Sequence, residues 1–380
     1  MILPLYQTHL ENQLESSELL FLELLINVLQ DIKEVSLEKI ATALPLPILF
    51  ESRRKKLQIF LSLPSLNIET IWFPIIKNWL AQTFPKNQPI YLVIDRTIWE
   101  RNNLIVLSII YDQRAIPVYF ELLPKLGSSN FSEQTQLISQ VLPLFEEYET
   151  ILLGDREFCG VKLANWLLEQ GLLFCLRLKK NEFILVENGE WQELNELGLK
   201  PGISLFFLGI KMTKTKQISG FNLAGKWQRK IGGTAPKEGW FILTNLASLD
   251  QAIAAYKKRF DIEEMFRDFK RGGYNLEGTN VTGDRLIVMV LLIAIAYTTA
   301  TMQGKKIKKM GIQKYIGRVK EVGRTQRRHS SFYIGLYGQT WVNFLDECAH
   351  IVAELIRLNR NKRKYYQKGQ RAMELILFAL

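Results

Sequence analysis

Cysteine and histidine are scarce in this sequence, which has three of each among its 380 residues. Cys159, Cys175 and Cys348 form no C-x-x-C pair and have no neighbouring histidine pair, so the spacing of a structural zinc site is missing. The histidines are scattered and supply no Ser-His or Cys-His catalytic set. Such cysteine usage is typical of a reducing compartment, and we expect a cytoplasmic protein.

Secretion and membrane signals are also weak. Residues 1–5 lack the basic segment, apolar run and small-residue cleavage site of a signal peptide, so none is expected. Residues 286–304 carry no charge and approach the length of a membrane-spanning helix. Three threonines and a glutamine make the second half of this segment polar, which favours a buried core helix over a membrane anchor.

Positive charge is present in excess. Lysine and arginine total 49 against 38 acidic residues, a formal net charge of +11. The excess lies in residues 305–380, with 17 basic and 5 acidic residues, mostly within 305–328 and 357–371. This distribution predicts contact with nucleic-acid phosphates. A solvated charged face on C-terminal helices is the alternative.

Apolar periodicity divides the chain into three predicted domains. Residues 1–88 show helical spacing and predict a small bundle, whose basic cluster at residues 53–56 contacts either DNA or water. Residues 89–304 predict an α/β domain that includes a strand-rich stretch at residues 183–245. Residues 305–380 predict a basic helical region. The expected fold class is therefore α/β, flanked by helices at both ends.

The central domain begins with a distinctive order of elements. Short apolar runs predict strands, and amphipathic segments predict the helices between them. The predicted order is βββαβαβ, over residues 91–95, 104–111, 116–122, 132–147, 150–155, 161–169 and 172–178. A strand-rich stretch at residues 183–245 follows, and helical periodicity returns over residues 249–270.

Two aspartates lie at the ends of predicted strands. Asp95 closes the first strand, and Asp155 closes the strand that follows the first helix. An acid at the end of a buried strand is costly unless it is solvated, paired or bound to a cation. The pair therefore indicates a cation site if the two strands are neighbours, whereas ordinary turn chemistry explains either residue singly.

A third carboxylate is placed by helical angle. At about 100° per residue, Tyr256, Arg259, Glu263 and Lys270 fall within a 60° arc of one helix. An apolar stripe lies beside this arc, and Glu264 points elsewhere, so Glu263 is the better candidate. An exposed face with an Arg259–Glu263 pair is compatible with the same spacing. Three carboxylates suit two hard divalent cations such as Mg²⁺, and no side-chain nucleophile is then required.

The spacing Tyr256-x2-Arg259-x3-Glu263-x6-Lys270 resembles the Tyr-Arg-Glu-Lys signature of DDE transposases of the insertion-sequence-four family. It follows residues 93–97 and 153–157, which resemble that family's two aspartate motifs. The resemblance covers about residues 91–280 and implies that residues 89–304 form a ribonuclease-H-like catalytic domain interrupted by a β-rich insertion at about residues 180–246.

The resemblance also implies the chemistry of Asp95, Asp155 and Glu263. They would form a metal-binding catalytic triad with two Mg²⁺ or Mn²⁺ ions. DNA would be hydrolysed at the transposon ends to free a 3′-OH, which then attacks target DNA. The implied partner is double-stranded DNA, bound by a homodimer on paired ends, with the protein on the nucleoid when it holds DNA.

Further residues receive DNA-binding roles from the same resemblance. Tyr256, Arg259 and Lys270 would contact transposon-end DNA near the cleaved phosphate, with Arg156 close to it. Trp240 resembles a tryptophan that stacks on a base flipped from a DNA hairpin in some members. Its spacing to Tyr256 is shorter than in those members, and a tryptophan that starts a strand is more often part of the core.

Three alternative functions remain open from the sequence. A nuclease of the same fold would cut DNA without joining it. A decayed or regulatory relative would bind DNA without cutting it, although the three acids argue against loss of chemistry. A membrane protein anchored by residues 286–304 is the third alternative.

Overall fold

The computed structural model describes residues 4–185, 189–212, 218–229, 236–320, 322–323 and 328–379. Part of the basic stretch at residues 305–328, namely residue 321 and residues 324–327, lies outside the described residues. The chain forms two compact units. The helical unit comprises residues 1–75 and 267–380, and the sheet unit comprises residues 76–266. The three predicted domain boundaries remain predictions.

Helices account for most of the first unit and flank the sheet of the second. The described ranges contain twelve α-helices: α1 (Pro4–Glu11), α2 (Ser16–Ile32), α3 (Leu37–Ala43), α4 (Phe50–Phe60), α5 (Phe73–Thr83), α6 (Phe131–Val141), α7 (Val161–Glu169), α8 (Leu249–Lys257), α9 (Phe260–Phe269), α10 (Asp284–Lys309), α11 (Ser331–Leu358) and α12 (Arg363–Ala379).

Ten strands in the described ranges form one sheet in the sheet unit. They are β1 (Ile90–Trp99), β2 (Asn102–Tyr111), β3 (Arg114–Leu122), β4 (Thr150–Gly154), β5 (Leu173–Arg177), β6 (Phe183–Leu185), β7 (Trp191–Glu193), β8 (Ser204–Met212), β9 (Ile218–Lys226) and β10 (Trp240–Thr244). Their order across the sheet is β3-β2-β1-β4-β5-β10-β9-β8-β6-β7.

The first five strands confirm the predicted βββαβαβ order. Strands β1, β2 and β3 form an antiparallel meander, whereas β1, β4 and β5 are parallel and are connected by helical crossovers. Parallel strands need such crossovers because the end of one strand and the start of the next lie on opposite edges of the sheet. Strand β10 then pairs antiparallel with β5, so the strand-rich segment extends the same sheet.

Two helix boundaries differ from the prediction. The helix expected to reach residue 147 ends at Val141 and becomes a 3-10 turn at Leu142–Leu144, because Pro143 has no N–H to continue the α-helical pattern. The helix expected over residues 249–270 is interrupted between α8 and α9. There the N–H groups of Lys258 and Arg259 donate to carbonyls three residues earlier, which tightens the turn.

Helix α10 is the core of the helical unit and contains the charge-free segment. Its length and composition would suffice to cross a membrane, since an 18-residue window within it has a mean hydropathy of 2.0. However, 89% of that window is buried within the protein. Two of the polar residues in its second half bond within the helix, since Thr298 and Thr301 donate to the carbonyls of Ala294 and Tyr297. The prediction of a buried core helix is therefore confirmed.

The basic cluster at residues 53–56 is partly structural. The Arg53 guanidinium donates to the backbone carbonyls of Ala41, Leu46 and Ile48, and so satisfies groups at the end of α3 and in the following loop. Arg54 pairs with Glu38 at 3.3 Å. These partners within the protein were absent from both sequence interpretations, which assigned the cluster to DNA or to water.

Candidate active site

Asp95 and Asp155 lie side by side at one edge of the sheet unit. The parallel register of β1 and β4 pairs Ile94 with Gly154, so the next residue on each chain segment is an aspartate. The two strands are therefore neighbours, as the cation-site hypothesis requires. The prediction that Asp95 is the last residue of its strand is wrong. Strand β1 continues to Trp99, because it still pairs with β2 after its parallel partner β4 has ended.

Helix α9 supplies Glu263, and Arg259 connects it to the first aspartate. Nη1 of Arg259 lies 3.1 Å from Oδ2 of Asp95, while Nη2 donates to Oε1 of Glu263. The Arg259 side chain is 14% exposed, Asp95 is 16% exposed and Glu263 is 43% exposed. The predicted Arg259–Glu263 pair thus exists, and the same guanidinium also reaches the sheet.

The apolar face of α9 explains how Glu263 is positioned. The stripe predicted from helical angles is buried, with exposures of 9% or less: Ile262, Met265, Phe266 and Phe269. Glu264 points away from the site and pairs with Arg114 at 3.2 Å. The direction predicted for each glutamate is therefore confirmed, although the helix is interrupted just before Glu263.

Burial dominates the electrostatics of Asp95. Loss of solvent raises its pKa to about 7, and Arg259 and the N–H of Arg96 oppose this shift only in part. The neighbouring Asp155 and Glu263 raise the pKa further through charge repulsion. An additional cation beside these carboxylates would therefore stabilise the ionised form of Asp95.

The donors fit a hard divalent cation in kind. Across the described ranges, no three His, Cys, Asp or Glu side chains are grouped closely enough to hold a metal ion. Carboxylate oxygens are nevertheless the ligands that Mg²⁺ prefers, and the Arg259 guanidinium lies where positive charge offsets both Asp95 and Glu263. The Arg259 guanidinium thus already supplies one positive charge to these two carboxylates.

Arg96 and Glu157 form an ion pair that the sequence interpretation missed. Nε of Arg96 lies 3.0 Å from both Glu157 oxygens, and Nη2 lies 2.7 Å from Oε2. Glu157 also accepts from the N–H and hydroxyl of Ser129. The pair ties the residue after Asp95 to the residue two after Asp155. The sequence signal that could have revealed this pair is that Arg96 and Glu157 each lie within one of the two aspartate motifs.

We expect Arg96→Met to lower the free energy of unfolding by about 3 kcal/mol, because it leaves the Glu157 carboxylate largely buried without its cation. Urea denaturation measures this loss. Adding Glu157→Gln to Arg96→Met removes the uncompensated charge and should restore part of the stability. Equal stability of Arg96→Met and wild type would show that the pair does not hold the two motifs together.

Tyr256 and Trp240 lie against each other in the sheet unit. Tyr256 is 3% exposed, and burial raises its pKa to about 12. The Trp240 ring meets it edge-on, with ring centroids 5.1 Å apart. Trp240 is half-buried at the start of β10. For a tryptophan at the start of a strand, a role in the core is the alternative to base stacking. Its base-stacking role stays a prediction.

The two remaining predicted DNA contacts have acidic partners. Arg156, the residue after Asp155, pairs with Glu238. Lys270 belongs to the helical unit, where it follows α9 and pairs with Glu277 at 2.7 Å. Their predicted roles on DNA remain predictions.

Comparison with known proteins gives one family match. A profile described as the transposase DDE domain matches residues 92–299, more than half of the chain and a range that includes the three candidate carboxylates. No curated protein sequence matches. Among solved structures, the chain is similar to the cryo-EM structure of a piggyBac transposase synaptic complex with hairpin DNA. The TM-score is 0.45, with 12% identity over 99% of this chain and 81% of that chain.

Proposed function

Because this chain belongs to the transposase DDE domain family and is thus a DNA-cleaving and strand-transferring enzyme, we propose that Asp95, Asp155 and Glu263 are its catalytic triad. The observation that carries the proposal is the position of Arg259, which contacts both Asp95 and Glu263, while Asp155 directly follows the neighbouring strand β4. We further propose membership of the insertion-sequence-four family, on the Tyr-Arg-Glu-Lys spacing.

The triad would hold two Mg²⁺ or Mn²⁺ ions. When bound, such ions would supply positive charge that activates the attacking oxygen and stabilises the leaving oxygen of a phosphodiester. The protein contributes the orientation of the carboxylates. Arg259 holds Asp95 and Glu263, while the Arg96–Glu157 pair holds the segments that carry the two aspartates.

The proposed reaction has two stages at the same site. Hydrolysis at the ends of the element frees a 3′-OH, and that hydroxyl then attacks target DNA. Each stage is an in-line displacement at phosphorus. The strand order β3-β2-β1-β4-β5, with β1 parallel to β4, supports a ribonuclease-H-like domain, with the strands that follow β5 as the β-rich insertion.

Double-stranded DNA is the proposed partner, held by a homodimer on paired ends in the cytoplasm. Arg156, Tyr256, Arg259 and Lys270 would lie near the cleaved phosphate. Trp240 is kept as a base-stacking candidate, because it is the more exposed ring of the pair that it forms with the buried Tyr256.

The experiment is an assay with labelled duplexes that carry the ends of the element, in Mg²⁺ or Mn²⁺. One duplex is intact and the other is already cleaved, so that cutting and joining are scored separately. Transposition requires both activities. Cutting of the intact duplex without joining of the pre-cleaved one supports the nuclease alternative. Binding without either reaction supports the non-catalytic alternative.

The basic C-terminal region is best tested by point substitutions. Helix α11 packs on α10 at Gly335 and Gly304, so deletion of residues 305–380 would expose the core of the helical unit. Lys364, Lys368 and Arg371 are exposed on one face of α12 and line a shallow cavity of about 450 Å³.

We expect glutamine at these three positions to lower the slope of log affinity against log salt by about 0.9 for each phosphate that is no longer neutralised. Fluorescence anisotropy of a labelled duplex over a salt series measures this slope. The matched control changes three scattered, exposed lysines of the sheet unit: Lys77, Lys200 and Lys211. Equal slopes in the two triple variants would favour the solvated-face alternative for α12.

A further inference from the structure

Two arginines of the sheet unit converge on one glutamate beside the candidate active site. Arg156 directly follows Asp155, and Arg177 ends β5, the strand next to β4. Both donate to the same oxygen, Oε1 of Glu238: Arg156 through Nη2, and Arg177 through Nη2 at 2.8 Å. Glu238 lies just before β10, in the strand-rich segment that extends the sheet.

The arginines retain hydrogen-bonding capacity that one carboxylate oxygen does not use. The Nε atoms of Arg156 and Arg177 are buried, and neither makes a hydrogen bond of good geometry within the described part of the protein, although the Arg177 guanidinium lies beside the Tyr256 hydroxyl. A guanidinium offers five N–H donors in a rigid fork that matches two oxygens of a phosphate or carboxylate. Two forks on one oxygen leave buried donors unmet, which costs free energy.

The surroundings favour an anion larger than a carboxylate. A cavity of about 280 Å³ adjoins the cluster, and its charged lining residues are Arg156, Lys180, Lys237 and Glu238. Three cations of this wall thus face a single acid, and Arg177 adds a fourth positive charge through its contact with that acid. The Glu238 side chain is 42% exposed, so it can leave its position without disrupting a packed core.

We propose that Arg156 and Arg177 form a clamp for a backbone phosphate of DNA, and that Glu238 occupies this clamp in the DNA-free protein. A phosphodiester presents two unesterified oxygens, so each guanidinium can donate to a different oxygen. In the contact with Glu238, both arginines donate to the same carboxylate oxygen. DNA therefore binds at the clamp by displacing an internal acidic group. This inference rests on the proposed function, since it places the phosphate next to Asp155.

The contact with Glu238 makes the clamp autoinhibitory. In the free protein it neutralises part of the charge that attracts DNA, and its carboxylate must swing away before a phosphate enters. The contact with Glu238 holds both arginines in place beside the candidate carboxylates. It also favours a strongly charged ligand, because the ligand must compete with the Glu238 carboxylate for the two guanidiniums. Glu238→Gln removes the competing charge and keeps the shape of the side chain.

The test measures binding to a labelled random-sequence 30-base-pair duplex by fluorescence anisotropy, in EDTA so that no DNA is cut. We expect Glu238→Gln to bind about five- to tenfold more tightly than wild type, since a nearby like charge no longer opposes the phosphate. Arg177→Gln should weaken binding and lower the salt slope by about 1. Glu146→Gln, at an exposed glutamate elsewhere in the sheet unit, is the control for net charge.

A double-mutant cycle separates a clamp from general repulsion. If Glu238 acts by occupying the arginines, its substitution should add no affinity once Arg177→Gln is present. A full gain in that background, or an equal gain from Glu146→Gln, would overturn the proposal. Thermal unfolding of each variant verifies that the binding changes occur in folded protein.

The clamp and the transposase mechanism can fail separately. If wild type cuts and joins element ends in Mg²⁺ but Glu238→Gln leaves duplex binding unchanged, the clamp is wrong and the proposed function stands. If the arginine-dependent gain is observed but no variant cuts DNA in Mg²⁺ or Mn²⁺, the clamp stands and the proposed reaction is wrong.

Discussion

Glu263→Gln is expected to lower metal-dependent cleavage of element ends by at least about 100-fold, because substitutions even in the outer shell of a metal site cost about 10- to 100-fold. Glutamine keeps the shape of the side chain and its contact with Arg259, but it removes the negative charge that a metal ion requires. Asp95→Asn and Asp155→Asn should show losses of the same order. A gel assay of labelled ends measures the rates, and binding in EDTA verifies that DNA is still held.

Glu264→Gln is the matched control. It changes the adjacent residue of α9 by the same single charge, yet this side chain points to Arg114 and away from the candidate triad. We expect its cleavage rate to stay close to that of wild type. Cleavage that survives Glu263→Gln but is lost in Glu264→Gln would reverse the assignment of the third carboxylate.

Gly335→Ala is expected to lower the free energy of unfolding by about 3 kcal/mol, at the upper end of the cost of overpacking. Helices α10 and α11 approach so closely that a Cβ on Gly335 would lie 1.8 Å from the carbonyl oxygen of Ala300. Backbone atoms cannot rotate away as a side chain can, so one helix must shift. Urea denaturation followed by circular dichroism measures the change.

Gly369→Ala makes the same chemical change on α12 with the opposite expected sign. A Cβ there meets no heavy atom within 4 Å, and alanine stabilises a helix interior by about 0.5–1 kcal/mol over glycine. Unfolding of Gly335→Ala at the same urea concentration as wild type would contradict the close approach of α10 and α11.

Local patterns were sufficient for much of the central domain. The order βββαβαβ and the bounds of α7, Val161–Glu169, could be predicted because strand and helix periodicities are short-range properties of the chain. The direction of Glu263 on its helix followed from angle alone, since the buried stripe beside it is apolar. The interruption between α8 and α9 was missed because neither glycine nor proline marks it.

Contacts between distant segments could not be predicted in this way. The sequence showed that Arg259 and Glu263 are four residues apart, but the contact of Arg259 with Asp95 joins residues 164 positions apart. Likewise, Arg53 was one member of a basic cluster until the fold placed three backbone carbonyls around it. A charged side chain carries no local signal of the partner that will neutralise it.

The sequence by itself determined membership of the transposase DDE domain family, the candidate carboxylates and the order of the elements around them, because spaced motifs and periodicity are properties of the linear chain. Only the tertiary structure decided that β1 lies beside β4, that Arg156 and Arg177 meet at Glu238, and that Gly304 and Gly335 bring two helices into backbone contact. These features depend on which distant surfaces pack together, and packing is selected by the free energy of the whole fold.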